Sequence, residues 1–404
     1  MISVHGCPMV TPGMRSAGGM NVYLRRIAPL LAERGICVDV FTRSHHAWGR
    51  EVFDIGPHAR VIHLPAGEPE LTKAEVVPYL NDFRDWLLAF VDREGLGYDL
   101  VHSHYWLSGG VGDAVARVFK IPHVASFHTL AAVKERASLV PEPSERAETE
   151  ARMAESADLV FAFTSDEARE LGELFGVPEH AVHVAPGGVD LSLFTPQDKT
   201  EARRRTGIDP DEKVILFVGR PEPFKGPDVL VRALAEMRNS TGVRLVLVGG
   251  SEDEHSVDWL RQEAEAAGVT ENVRWQSAIP QTELTDFYAA ADVCAVPSFH
   301  ESFGLAALEA MACGTPVVAA AVGALPELVV HGETGFLVPG HLPEQFAQSI
   351  EDLLDDPGLR ERMGEAGVRH AAGYTWEQAA DLALEGYQAV VGRSPRRDDV
   401  LPCG

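Results

Sequence analysis

The stretch VILFVGRPEPFKGPDVL, residues 214–230, runs from five apolar residues through a loop of Gly, Pro and charge into an amphipathic pattern. A short apolar run bounded by Gly reads as a buried strand, and the pattern after Lys225-Gly226 reads as a helix. Strand, loop and helix bring Arg220, Lys225 and a helix N-terminus to one place. Exposed N–H groups and two cations suit a diphosphate. The plainer reading makes Arg220 and Lys225 solvated loop charges.

Working outward from this unit, the same rhythm fills the chain. Strands are expected at 2–5, 38–42, 61–64, 100–104, 123–128 and 159–164 in the first half, and at 214–218, 244–248, 273–275, 293–296 and 316–319 in the second. Helical patterns lie between them, for example 21–33, where Val22, Leu24, Ile27, Leu30 and Leu31 share a face and Gly35 marks the end. Alternating strands and helices imply mostly parallel sheets covered on both faces. The rhythm lapses at about 185–211, where Gly, Pro and charge replace the apolar runs. The expected organisation is an α/β pair: a domain at 1–190, a second at 191–373, a helix at 374–392 packing back on the first, and a disordered tail at 393–404.

Composition narrows the function classes. The chain has 404 residues, 45% apolar and 24% charged, the balance of a soluble globular protein with two cores. A formal charge of −25 argues against nucleic acid as a partner. No run is long enough for membrane insertion, and the opening MISVHG turns polar within five residues, so a cytoplasmic protein is expected. Five scattered cysteines propose neither a disulfide framework nor a metal site.

In open α/β sheets ligands bind beyond the carboxyl ends of strands, which directs attention to three further loops. VPSFHESFGLAALEAMACGTPVVA, residues 296–319, reads as a strand, a polar loop with Glu301, and a helix opening near Ser302-Phe303-Gly304-Leu305 that carries Glu309. Two carboxylates eight residues apart on a helix would be roughly 12 Å apart in rise, beyond the about 5–9.5 Å of a glycosidase pair. They suit two distant hydroxyl-bearing parts of one ligand, or else they are a dipole-favoured acid and an ordinary surface Glu. Gly18-Gly19 lets backbone approach a ligand ahead of helix 21–33, without the Gly-x-Gly-x-x-Gly spacing of a dinucleotide site. His128 and Thr129 follow a strand end, where a lone His is more often structural.

These segments resemble the retaining GT-B glycosyltransferases of family 4, in which ESFGLAALE is a Glu-x7-Glu signature and GRPEPFKG a diphosphate loop. The likeness runs from GGMNVY to GETGFLV. GGMNVY, LTKAEV, HSHYWLSG and FHTLAAVK are similar to the branch that moves N-acetylglucosamine from its UDP conjugate to 1D-myo-inositol 3-phosphate in mycothiol synthesis. The resemblance implies two Rossmann-like doubly wound parallel-sheet domains facing across a cleft. It implies that Arg220 and Lys225 hold the donor diphosphate, Glu301 the hexose hydroxyls and Glu309 the ribose. Gly19, Ser302, Phe303, Gly304 and Leu305 complete the donor set, and His128 faces the donor sugar. Acceptor residues are His5, Asn21, Lys73, Tyr105, Thr129 and Arg146, four of them around a phosphate.

The resemblance further implies a UDP-sugar donor, a phosphorylated cyclitol acceptor, no metal and no cofactor, and leaves a homodimer open. Gly6-Cys7 stands in place of a family Thr-Ser pair, Ser16 in place of an acid, Ile279 in place of an arginine and Ala324 in place of a glycine. Two other readings remain at this stage. One is a family 4 transferase of secondary metabolism with an aminocyclitol or other cyclitol acceptor. The other, of a different class, is a UDP-sugar epimerase or UDP-sugar-binding protein.

Overall fold

A computed structural model describes residues 1–10, 17–45, 51–138, 141–250 and 257–392. Ser16 and the tail 393–404 lie outside the described residues. The chain forms two compact units: one of Met1–Val10, Gly19–Pro186 and the segment from Trp376, the other chiefly Gly187–Thr375.

The first unit holds strands β1 (Val38–Arg43), β2 (Val52–Gly56), β3 (Ala59–Leu64), β4 (Val101–His104), β5 (His123–Ser126), β6 (Leu159–Ala162) and β7 (Val182–Val184). Their orders are β1-β3-β2 and β4-β5-β6-β7. All neighbours are parallel except β2, which runs antiparallel to β3. The expected strand at 2–5 shrinks to a single bridging residue: Ile2 donates to the His102 carbonyl at 2.8 Å, and Ser3 to that of Phe41 at 2.9 Å. This segment therefore joins β1 to β4, and the order reverses there, so the loops after Ile2 and after β4 leave the sheet at a switch point. Strands β1, β4, β5 and β6 are buried at every position because helices cover both faces.

In the second unit β8 (Lys213–Val218), β9 (Val243–Val248), β10 (Val273–Gln276), β11 (Val293–Val296), β12 (Val317–Ala320) and β13 (Gly335–Val338) form one parallel sheet. Its order, β10-β9-β8-β11-β12-β13, is that of a doubly wound dinucleotide-type fold with its switch point between β8 and β11. Leu216, Val246, Cys294 and Val317 pack on one face, and Ile215, Leu245 and Val318 on the other.

Pattern reading passed over β2, β7 and β13. These are short or half-buried strands at the sheet edges. The segment at 185–211, read as a lapse, contains helix Lys199–Thr206, capped by Asp198 accepting from Glu201 N at 2.8 Å. Its four basic residues hide it as an apolar pattern. Arg203 instead reaches Asp292 at 3.0 Å, an ion pair both of whose side chains are buried. Cys7, Cys294 and Cys313 are free. No helix among the described residues is long and apolar enough to cross a membrane.

Helix Trp376–Val391 belongs to the first unit and lies along helix Gly19–Glu33. Arg34 donates to the Glu377 carbonyl at 2.8 Å, and Tyr387 meets His102 under β4.

Candidate active site

The switch point of the second unit gathers the loops after β8 and β11. Phe299 N donates to the Phe224 carbonyl at 3.0 Å, tying the two loops together. Gly226 adopts φ +69°, and a Cβ there would stand 2.3 Å from the Pro297 carbonyl oxygen, so only Gly lets the loops approach this closely. Lys225 Nζ is consequently 2.7 Å from Glu301 Oε2, on which Ser298 Oγ also donates at 3.1 Å. Burial would raise the Glu301 carboxyl, but Lys225 outweighs it and holds the group below the usual range. Behind Glu301, its carbonyl accepts from Ala324 N at 2.8 Å, and Gly323 at φ +52° leaves no room for a Cβ. Arg220 pairs with Glu222 on the same loop.

The helix carrying Glu309 spans Leu305–Ala312 with Gly304 as its N-cap. Glu301 thus lies in the loop before it, and the helical rise expected between the two acids does not apply. Ser302 and Phe303 fill the bend between Glu301 and the cap, half-buried. Glu309 is no surface acid: it is 6% exposed, with Tyr288 Oη donating to Oε2 at 2.8 Å and Gln281 Nε2 to Oε1 at 3.1 Å.

The first unit builds a different kind of site around Tyr105. This residue leaves β4 with φ +71° and caps helix Trp106–Phe119, which turns its ring out of the helix. Lys73 Nζ lies 5.2 Å from the ring centroid and the Arg146 guanidinium 5.0 Å, both within cation–π range. The His5 ring is 4.6 Å away. Arg146, 1% exposed, uses three nitrogens inward: Nε to Glu150 at 2.7 Å, Nη1 to Glu142 at 2.8 Å and Nη2 to the Thr129 carbonyl at 2.7 Å. Lys134 also pairs with Glu142. Burial works against the Arg146 charge, but Tyr105 and the acids around it more than compensate and raise its pKa. Lys73, Lys134 and Arg146 stand here among Glu135, Glu142 and Glu150, the first of which accepts from Glu142 N at 2.6 Å.

Asn21 is buried in the first turn of helix Gly19–Glu33 and donates to the Cys7 carbonyl at 2.8 Å, while Gly19 opens that helix exposed. His128 follows β5 with φ +61°. Its ring sits between Tyr23 and Phe163, and its Nε2 is 3.0 Å from His104 Nδ1. Burial alone pulls its pKa down to about 3, so the ring is neutral at working pH.

The structure therefore brings Lys225, Glu301 and Ser302–Leu305 to one switch point, and His5, Lys73, Tyr105, Thr129 and Arg146 to one corner of the other unit. Sequence reading missed Glu142 and Glu150, although their spacing of four on either side of Arg146 is the signal of an ion-paired helical face. It also missed His104, one residue before Tyr105, for which spacing carries no signal.

Comparison with known proteins follows these lines. Residues 198–370 match the family model described as glycosyl transferases group 1, and residues 18–188 that of the glycosyl transferase 4-like domain. D-inositol 3-phosphate glycosyltransferase of Kribbella flavida is 44% identical over 401 residues, covering 96% of this chain and 94% of that relative. Its counterpart in Thermobifida fusca is 43% identical over 399 residues, covering 96% and 92%. Among solved structures, sucrose-phosphate synthase from Thermosynechococcus elongatus aligns with a TM-score of 0.88 at 33% identity, over 97% of this chain and 98% of that one. HepE from Anabaena, solved in complex with UDP and glucose, shares the fold with a TM-score of 0.77 at 22% identity, over 96% and 98%. With two parallel-sheet units of the GT-B type and relatives this similar over nearly its whole length, the chain belongs to the group 1, or family 4, glycosyltransferases and is an enzyme of that kind.

Proposed function

We propose that this enzyme transfers N-acetylglucosamine from UDP-N-acetylglucosamine to 1D-myo-inositol 3-phosphate with retention of configuration. The observation that carries the reading is the corner around Tyr105, where Lys73 and Arg146 lie over one ring and Thr129 is bonded to Arg146. Residues from four separate segments converge there, two of them cations whose N–H groups suit a phosphorylated acceptor. The curated relatives at 43–44% identity are named for that acceptor.

In this reading the second unit takes the nucleotide sugar and the first the acceptor. The bond between the anomeric carbon and the diphosphate breaks, positive charge grows on the sugar, and negative charge grows on the departing UDP. Arg220, Lys225 and the free N–H groups at 302–305 stabilise that departing charge, the kind of preorganised term that usually dominates catalysis. Lys225, now paired with Glu301, turns partly to phosphate oxygen, while Glu301 keeps its charge and accepts from hexose hydroxyls. Glu309 holds the ribose, with Tyr288 and Gln281 fixing its two oxygens, and His128 faces the sugar. A leaving phosphate oxygen takes the proton of the acceptor hydroxyl, so neither a protein nucleophile, a metal nor a cofactor is invoked. Asn21 and His5 orient the cyclitol, and the reaction is cytoplasmic.

Acceptor-dependent UDP release, followed by mass spectrometry of the product, tests the reading with inositol 3-phosphate and plain inositol side by side. Preference for the phosphorylated acceptor is expected, and equal use of both would remove the phosphate pocket. Glu142 beside Tyr105 favours one second reading, an aminocyclitol acceptor whose ammonium it would pair. Faster transfer to an aminocyclitol in the same assay would establish it. UDP release without any acceptor would instead point to hydrolysis, and a changed UDP-sugar without UDP release to isomerisation.

A further inference from the structure

At the ends of β4 and β5 the first unit groups three imidazoles. His102 lies deepest, with Nδ1 on Tyr387 Oη at 2.7 Å and Nε2 on Ser126 Oγ at 2.9 Å. The His104 ring lies against it, tilted by 34°, with ring centroids 4.0 Å apart. Nδ1 of His104 then meets Nε2 of His128 at 3.0 Å. We propose that His104 is a positioning residue: its Nδ1–H donates to Nε2 of His128, holding His128 as the Nδ1–H tautomer that offers its proton to the sugar being transferred.

The direction of that hydrogen bond follows from the partners. Burial lowers the pKa of both rings, so each is neutral and carries one proton. One ring must donate and the other accept. Were His128 the donor, the single proton of His104 would sit on its Nε2, which is buried and meets no acceptor among the described residues. A buried N–H without a partner is the costlier orphan, whereas a bare ring nitrogen is tolerated. His104 therefore donates, and the proton of His128 is on Nδ1.

Other contacts hold the geometry. His104 is fully buried against Tyr23, and the His128 ring is clamped by Tyr23 and Phe163. With Nε2 occupied inward, Nδ1 is the one ring nitrogen of His128 left for a ligand. The deepest of the three rings is pinned by Tyr387, on helix Trp376–Val391, more than two hundred residues further along the chain. The sugar as recipient of that proton rests on the proposed transferase reading, whereas the tautomer does not.

The test is nitrogen NMR of the enzyme labelled with 15N in its histidine rings, the His128 signals being identified by their loss in His128→Gln. In the unsubstituted protein, His128 is expected with a protonated Nδ1 and a bare Nε2. His104→Phe keeps a ring on His102 but removes the donor. His128 Nε2 then loses its donor, so its resonance should shift toward that of a free bare nitrogen, and kcat/KM should fall roughly tenfold, the worth of one neutral hydrogen bond. His104→Asn sets an amide N–H where Nδ1–H stood and should restore both the Nε2 resonance and most of the activity. A His128 protonated on Nε2 in the unsubstituted enzyme overturns the proposal, as does an Asn variant no better than the folded Phe variant. If no UDP-sugar is turned over by the unsubstituted enzyme, the transferase reading fails while the spectrum still decides the tautomer.

Discussion

The two units hold their proposed anion-binding groups in contrasting ways. In the second, the groups sit on two adjacent loops at one switch point, Gly219 to Lys225 and Ser298 to Leu305, brought together by backbone contact at Gly226 and Phe299. In the first, they come from four scattered segments and are held by side chains, with Arg146 spanning Glu142, Glu150 and Thr129 around Tyr105. A backbone-built site can lose a side chain and keep its shape. A site built from buried ion pairs cannot, because each partner left behind is an uncompensated charge.

Substitution breaks the comparison most sharply at Arg146. Arg146→Ala strands Glu150, which is 1% exposed, and should destabilise the protein by about 3–5 kcal/mol. Chemical denaturation would show it as a lower midpoint at unchanged slope, and an unshifted midpoint would count against a structural role for the ion pair. Lys225→Ala leaves Glu301 behind, but that acid is 17% exposed and keeps the Ser298 hydroxyl, so stability should fall less than in Arg146→Ala while kcat/KM falls by roughly 10²-fold, the worth of one charge-stabilising donor. Near-normal turnover would take Lys225 out of the leaving-group role.

Acid should separate the units next. His102, His104, His123 and His128, all in the first unit, have pKa values lowered by burial, His123 to about 4 and His128 to about 3. A lowered folded-state pKa means that stability is complete above the unfolded value of about 6.5 and is lost as pH falls below it. The loss is about 1.4 kcal/mol per pH unit for each histidine still neutral in the folded state. Melting curves between pH 7 and 4.5 should therefore show first-unit probes failing ahead of second-unit ones. Simultaneous loss would contradict the assignment. Since His128 stays neutral, it should add no inflection to log(kcat/KM) between pH 5 and 8.

The smallest effect is expected at Lys73, half-buried beside Tyr105. Lys73→Met should raise KM for inositol 3-phosphate about three- to tenfold and leave that for plain inositol unchanged. The same rise for both acceptors would mean that Lys73 serves the ring and not the phosphate.

Legibility in the sequence divides along the same line. The strand before Arg220 and the loop at Glu301 were visible because each motif is continuous, apolar run then Gly-rich turn, and each ends at a strand tip of the sheet. Glu309 could be placed on its helix, but its burial under Tyr288 and Gln281 could not, since those partners come from another helix. Lys73, read unaided, is an ordinary charge on a short helix. Only the resemblance grouped it with Tyr105, Thr129 and Arg146. His104 was hidden by composition: HSHY offers two histidines, and nothing local says that one lies in the core while the other meets His128.

Periodicity alone determined that this chain alternates strands and helices in two series, because hydrophobic burial imposes the same spacing wherever a strand is covered on both faces. Residue type marked the phosphate-seeking loops, because Gly, cations and free N–H groups must be close in the chain to form such a turn. Tertiary structure decided the rest: which carboxylate faces Lys225, which acids neutralise Arg146, and which histidine lies against His128. Those pairings join residues far apart in sequence, and a contact closed by packing leaves no period or spacing in the segments that make it.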